Sequence, residues 1–437
     1  MSNARKLFLS ILFTVGIAFS IVVVGRMVLL GYERLFDALL IGRDRVAGES
    51  GTPQVDLVNV VPTPPPEYQE SEPPRENEDW ILDFSEADDI PLPDPISIPP
   101  LNSLDGYTPG LSLELPVVGA TGWAGTRMEL RQDPLNEDDR HPPRILNPGQ
   151  KFVILIEWRD WWFVRLPVGE GWNGEEGWVR HEACFINLPD VIPSIVFNIT
   201  NASGSIKVSG EYEIPEVTGV SLYSAYSPNE RFWERYMYIV PALYATAKRL
   251  FYVQQAALAQ GDTLVVYEVF RPHTTQRDIV NGLDELIREN YYVRTTLNTY
   301  PWSPTWFISH GVSSHQRGAA VDASLARVVS YNPNRRFIRG LFHEYREITE
   351  YVMHPMPTRV HDLHPRAAAF TGPRSYTLTE TMTDGAILLQ RHFTRYGFSP
   401  LASEWWHFND TQGVELARYL NITGNFYTES IMSKGIY

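Results

Sequence analysis

Leu7 to Gly25 are 19 consecutive uncharged, mostly apolar residues. At ~1.5 Å per residue a helix of that length spans about 28 Å, close to the ~30 Å hydrocarbon core of a bilayer. The pattern predicts a transmembrane anchor over residues 7–30, with 1–6 as a short tail. No A-x-A site follows it directly, so the segment reads as a retained anchor and not as a removed signal peptide. Further along, from Leu115 to Asn187, short apolar runs alternate with turn residues. Phe152-Val153-Ile154-Leu155-Ile156 follows Asn147-Pro148-Gly149, Trp161 to Leu166 pairs naturally with it, and Gly177-Trp178-Val179 closes the series. That is the pattern of a small all-β unit, assigned to residues 113–190.

The pattern then lengthens. Pro241 is placed to start a helix running through Leu250 and stopping before Gly261-Asp262, and the apolar run Thr263 to Val269 predicts a strand. A second helix is predicted from Thr377 to Tyr396, with Leu378, Met382, Ile387, Leu388 and Phe393 on its apolar side and Gly397 as terminator. Residues 191–437 therefore read as one α+β domain, helices packed on a mostly antiparallel sheet.

Composition changes the picture between Pro62 and Pro100, where 11 of the chain's 33 prolines fall. From Glu67 to Asp94 eleven acidic residues are opposed by Arg75 alone, a local charge of −10 out of −15 for the whole chain. Prolines and like charges both extend a chain, so residues 31–112 are assigned as a spacer. Cys184 is the single cysteine, which excludes an internal disulfide and a cysteine-rich zinc site. No basic patch of the needed density appears, and nucleic acid is excluded as a partner.

Two short runs carry the chemistry. Ser313-Ser314-His315-Gln316-Arg317-Gly318-Ala319-Ala320-Val321-Asp322 and Glu404-Trp405-Trp406-His407 supply His315, Asp322 and His407 as three ligands for one zinc ion. Glu404 is left as a general base for a water nucleophile. Gly318 and the small alanines suggest a tight turn feeding a strand on which Ala320, Asp322 and Ser324 share a face. Glu404 and His407 are three apart and lie on opposite faces of a regular strand, so an irregular strand end is expected there. His361 and His364 form a rival H-x-x-H pair in a proline-rich segment, where exposure is the commoner outcome.

The combination S-x-H-x-x-G-x-A-x-D followed by E-x-W-H resembles the zinc D-alanyl-D-alanine peptidases. That family contains the vancomycin-resistance dipeptidase and carboxypeptidase and shares its fold with the hedgehog signalling domain. The run Tyr267-Glu268-Val269-Phe270-Arg271-Pro272 is similar to the family's G-Y-R-P, which implies that Arg271 stabilises the oxyanion. The tetrad Glu404-Trp405-Trp406-His407 looks like the dipeptidases, which cleave free D-Ala-D-Ala. His361 falls where the family carries an acid that receives the substrate ammonium, with Asp362 one place later. A stem peptide ending in D-Ala-D-Ala therefore stays open as substrate for a carboxypeptidase. A non-catalytic wall-binding protein with a structural zinc is a third reading. Residues 113–190 resemble a bacterial SH3-like barrel, a module often joined to cell-wall hydrolases, whose tryptophans could contact the wall. Arg5 and Lys6 before the anchor, against Arg26, Arg34, Arg43 and Arg45 after it, leave orientation equivocal. The acidic downstream region and a wall-directed chemistry imply a single-pass protein of the cell membrane with its catalytic domain outside.

Overall fold

The computed structural model describes residues 115–134, 144–169, 172–197, 207–217, 226–229, 235–339 and 343–426. The anchor and the spacer predicted over 7–112 lie outside the described residues. Among the described residues no helix is long and apolar enough to cross a membrane.

The described part mixes helix and strand, as an α+β chain does. It is organised by two six-stranded sheets. The first contains, in spatial order, Pro241–Leu243, Cys184–Asn187, Thr121–Ala124, Lys151–Trp158, Trp161–Arg165 and Glu176–Arg180. Its interior positions are Trp123, Phe152, Ile154, Trp162, Val164 and Val179, each fully buried. Along Lys151–Trp158 Phe152 and Ile154 face in and Val153 out, the period of a half-buried strand, until a register shift between Ile154 and Ile156 reverses the phase and leaves Ile156 out and Glu157 in. The apolar runs of this stretch are thus strands where the pattern put them.

Pro241–Leu243 departs from the sequence expectation. It was placed in a helix, yet it pairs antiparallel with Phe185 to Asn187 and closes the edge of the first sheet. The helix begins only at Tyr244 and runs to Ala259. Tertiary pairing explains the shift: Leu243 N–H donates to the Gly318 carbonyl at 2.9 Å, and Val240 N–H donates to Asn187 Oδ1 at 2.8 Å. Three residues are more useful as a strand here than as a helical turn.

The second sheet runs Val196–Phe197, Asp262–Glu268, Ala320–Arg339, Glu404–Asp410 and Phe398–Leu401, with His343–Met353 pairing the far part of the long Ala320–Arg339 strand. Asp262–Glu268 is buried along its whole length, and it is the strand that the apolar run Thr263 to Val269 predicts, flanked by Val196–Phe197 and Ala320–Arg339. The helix Tyr244–Ala259 packs on Asp262–Glu268, and the helix Asp384–Thr394 packs on Ala320–Arg339, Glu404–Asp410 and Phe398–Leu401. The second helix is shorter than the predicted Thr377 to Tyr396. Thr383 Oγ1 accepts from Ala386 N–H and fixes the start, and Leu378 instead bridges Phe370 in the preceding turn. Gly397, at φ 81°, ends the element as expected.

The two sheets share packing at one junction. Phe185 of the first sheet meets Phe270 and Phe426 at centroid distances of 5.2 and 5.7 Å, and Phe426 stacks on Phe270. Beside them Trp162 and Tyr244 pack edge to face at 4.6 Å, with Glu157 accepting from both Trp162 Nε1 and the Tyr244 hydroxyl.

Candidate metal centre

Strand register assembles the centre. Glu268, Asp322 and His407 stand opposite one another on three neighbouring strands, Glu268 with Asp322 and Asp322 with His407. Residues opposite each other across a sheet project from one face, so this register alone brings two carboxylates and an imidazole together. Glu404 joins them because the pairing is irregular at the strand's start: Pro400 faces Phe408, but the next pair is Leu401 with Glu404. That irregularity places Glu404 Oε2 3.8 Å from His407 Nδ1.

His315 arrives from the turn before the Ala320–Arg339 strand. Gly318 makes that turn at φ 64°, and a Cβ there would lie 2.1 Å from Phe185 Cε1 and 2.9 Å from Leu243 N. Both the backbone angle and the close approach exclude a side chain. Gly318→Ala is expected to lower unfolding free energy by more than about 1 kcal/mol and to weaken metal binding, checked by thermal melts and metal titration. An unchanged melt would show that the junction tolerates the clash.

The three predicted ligands are 2 %, 1 % and 6 % exposed for His315, Asp322 and His407, so no bulk water screens them. Their tautomers follow from their outer partners. His315 Nδ1 lies 2.8 Å from the Val269 carbonyl, which can only accept, so Nδ1 carries the proton and Nε2 presents a lone pair. His407 Nε2 lies 3.0 Å from Asn409 Oδ1, the atom that also accepts from the Ser314 hydroxyl, and donating there leaves Nδ1 as a lone pair. These two nitrogens and Asp322 Oδ1 form a triangle with edges of 3.0, 3.1 and 3.2 Å. With both imidazoles neutral, three acceptors face one another with no donor between them. Such a group needs a positive charge, supplied by a proton or by an ion, and a tetrahedral zinc with ligands at ~2.0–2.1 Å would set ligand–ligand edges of about 3.3 Å. The residues fit the ion.

Without an ion, a proton takes this place. Burial opposes ionisation of Asp322, yet the three histidines against it, His315 foremost, hold its carboxyl well below the usual range. Burial lowers His315. Burial also works against a charged His407, but Asp322 and Glu404 outweigh it and the imidazole is raised. Burial pushes Glu404 up to about 7, helped by Asp322 and opposed by His407. A carboxylate poised near neutrality beside a dry ligand set suits proton transfer.

A second group, Glu268, Asp322 and His361, is also compact enough to hold an ion. Its chemistry is different. His361 Nε2 is 3.0 Å from Asp322 Oδ2 and 3.5 Å from Glu268 Oε2, a donor facing two acceptors. Glu268 also receives Arg271 Nε at 2.6 Å, Arg271 Nη2 at 2.8 Å and Lys207 Nζ at 2.7 Å. Two cations and an imidazole N–H already satisfy it, and a further dication would sit against both cations. The donor set therefore favours one ion, in the first group.

Arg271 stands where the sequence placed it. Its Nη1 donates to Gln276 Oε1 at 2.7 Å, and with two bonds to Glu268 this leaves one N–H on each terminal nitrogen. Nη2 is 3.9 Å from Asp322 Oδ2. Its own backbone N–H donates to the His315 carbonyl, tying the two motifs together.

Three residues of the centre had no sequence signal or a misleading one, and Glu268 is the first of them, given no role in the run that carries Arg271. Lys207 lies in no motif. His361, in a segment read as loop, is only 1 % exposed and touches a ligand. The neighbours predicted with it are elsewhere: Asp362 accepts from Gly210 N–H and Arg366 Nε, and His364 Nδ1 accepts from Arg366 N–H. No family model matches the chain, and no curated protein matches it. The centre is a buried His, Asp, His group that could hold a metal ion, with a near-neutral carboxylate and a guanidinium beside it.

Proposed function

We propose that this chain is a zinc D,D-peptidase that hydrolyses the bond between two D-alanines in cell-wall metabolism. The observation that carries it is the convergence of His315 Nε2, Asp322 Oδ1 and His407 Nδ1, next to Glu404. When bound, one zinc ion per chain would supply Lewis acidity toward the substrate carbonyl and lower the pKa of a water. Glu404 takes the proton as the water oxygen bonds to the carbonyl carbon. It returns that proton to the amine as the C–N bond breaks. The free N–H groups of Arg271 stabilise the negative charge that develops on the carbonyl oxygen.

On this reading the second sheet and its helices are a D,D-peptidase type of domain, and the all-β unit is an SH3-like barrel available to the wall. The run Leu7 to Gly25 anchors the protein in the membrane, with the acidic spacer carrying the catalytic domain outside. The dipeptidase-like tetrad favours free D-Ala-D-Ala. One observation favours a stem peptide instead. Neither His361, committed to Asp322, nor Asp362, committed to Gly210 and Arg366, offers a free carboxylate for a substrate ammonium.

The full chain loaded with zinc is expected to release D-alanine from D-Ala-D-Ala or from a pentapeptide stem ending in it, and the ratio of the two rates decides the branch. His315→Ala is expected to lose both the ion and the activity. A metal-loaded protein inert toward both substrates would return the wall-binding reading, in which the zinc is structural.

A further inference from the structure

We propose that His361 is a positioning residue that keeps Asp322 a single-oxygen ligand by occupying the carboxylate's other oxygen. Asp322 divides its oxygens: Oδ1 faces His315 and His407, and Oδ2 accepts from His361 Nε2 at 3.0 Å. Two alternatives compete for Oδ2. Arg271 Nη2 is 3.9 Å away and would draw the carboxylate toward itself, and an ion could take both oxygens of an unrestrained carboxylate. A fixed donor on Oδ2 blocks both.

The fold goes to some length to hold that donor. His361 adopts φ 66°, a left-handed backbone that costs a non-glycine residue free energy and persists where its surroundings enforce it. Here the surroundings are explicit. The His361 carbonyl accepts from Val208 N–H at 3.2 Å, and Leu363 N–H donates to the Val208 carbonyl at 2.8 Å, so the chain leaving the strained residue is stitched to a neighbouring strand on either side of Asp362. Asp362 is held by Gly210 N–H and Arg366. The imidazole itself lies edge-on between the rings of Tyr267 and Trp406, at centroid distances of 6.3 and 6.2 Å. Backbone, neighbours and ring plane all aim Nε2 at Asp322. Donors of this kind, one bond removed from the ion, orient a ligand without touching the metal.

This rests on the metal-binding reading, and the experiment separates the two. A Gln amide nitrogen reaches where His Nε2 stands, whereas the shorter Asn nitrogen overlays Nδ1 and falls short of Asp322. Asn, however, tolerates a left-handed backbone better than Gln does. A hydrogen-bonding role and a merely conformational role therefore predict opposite rankings. Full-length wild type, His361→Gln and His361→Asn are titrated with Zn2+, and their Co2+ forms are compared by visible absorption, with circular dichroism of the metal-free proteins as the check on folding. The expected result is ion affinity near wild type for Gln, a loss of about 10–100-fold for Asn, and a Co2+ spectrum altered only in Asn. Asn binding as tightly as Gln would overturn the proposal. Should neither variant fold, X-ray absorption on the wild-type zinc protein decides: one carboxylate oxygen at the ion supports the proposal, and a chelating carboxylate overturns it. Wild type that binds no ion sinks the metal reading and this one with it.

Discussion

Glu404→Gln is expected to retain one ion per chain while kcat falls by about 10²–10⁴-fold, the range that a positioned general base contributes. Gln keeps the shape of the side chain between Ser403 and Trp405, both buried, so packing is preserved and only the proton acceptor is lost. Glu404 is not one of the three residues that converge on the ion's position, which is why the metal should stay. Metal content by elemental analysis, together with D-alanine release, separates the two effects. Loss of the ion would make Glu404 a ligand; unchanged turnover would remove it as the base. The metal-free protein gives a second readout. Burial raises Glu404 from its ordinary 4.5 to about 7, so the folded state binds a proton more tightly than the unfolded one. Stability from this group is then full below pH ~4.5 and is lost as pH rises through ~7. The amide of Glu404→Gln does not ionise, and the metal-free variant is expected to lose less stability than wild type between those pH values.

The sequence made one half of this centre visible and hid the other for physical reasons. His315, Asp322, His407, Glu404 and Arg271 sit in short runs whose residue types and spacing restrict what they can do, and the structure brings all five together. Even the irregular start of the last strand was implied, since Glu404 and His407 could not otherwise share a face. Lys207 and Glu268 were hidden because their importance is a matter of burial and register. A lysine is ordinarily a solvated residue, and only the ion pair with buried Glu268 shows that Lys207 has no solvent to reach. His361 was misjudged on local grounds: prolines on both sides predicted an exposed loop, and a loop it is, but one stitched to Val208 and folded over the centre. Pro241–Leu243 erred in the same way, a good helix start locally that long-range pairing with Phe185 to Asn187 claimed for a sheet. Local pattern identified elements and residues that converge; what it could not reach was the partner supplied by distant chain.

Glu268→Gln should be among the most destabilising isosteric changes available, lowering unfolding free energy by about 3–5 kcal/mol, as breaking a buried ion pair does. Lys207, Glu268 and Arg271 are 1 %, 0 % and 4 % exposed, so none can recover hydration if its partner is removed. Glu268 binds both cations at once, Arg271 through two bonds and Lys207 through one. With an amide in its place the two cations remain buried, and the next carboxylate, Asp322, is 3.9 Å from Arg271 and already bound to three histidines. Urea denaturation of the metal-free protein should show a lower midpoint at similar slope. The pH dependence identifies the cause. Burial lowers Lys207 while Glu268 pushes it back up, so removing Glu268 leaves burial the stronger influence and lowers the ammonium further. A lysine whose folded pKa is depressed costs stability while it must be charged, and that cost falls as pH rises toward its ordinary 10.5. The deficit of Glu268→Gln should therefore shrink with rising pH. Adding Lys207→Met to Glu268→Gln removes the titrating group, and the double variant should be more stable than the single one at pH 7 and show no such slope. An unchanged urea midpoint in Glu268→Gln, or a deficit flat with pH, would mean that the two cations are not held by this carboxylate.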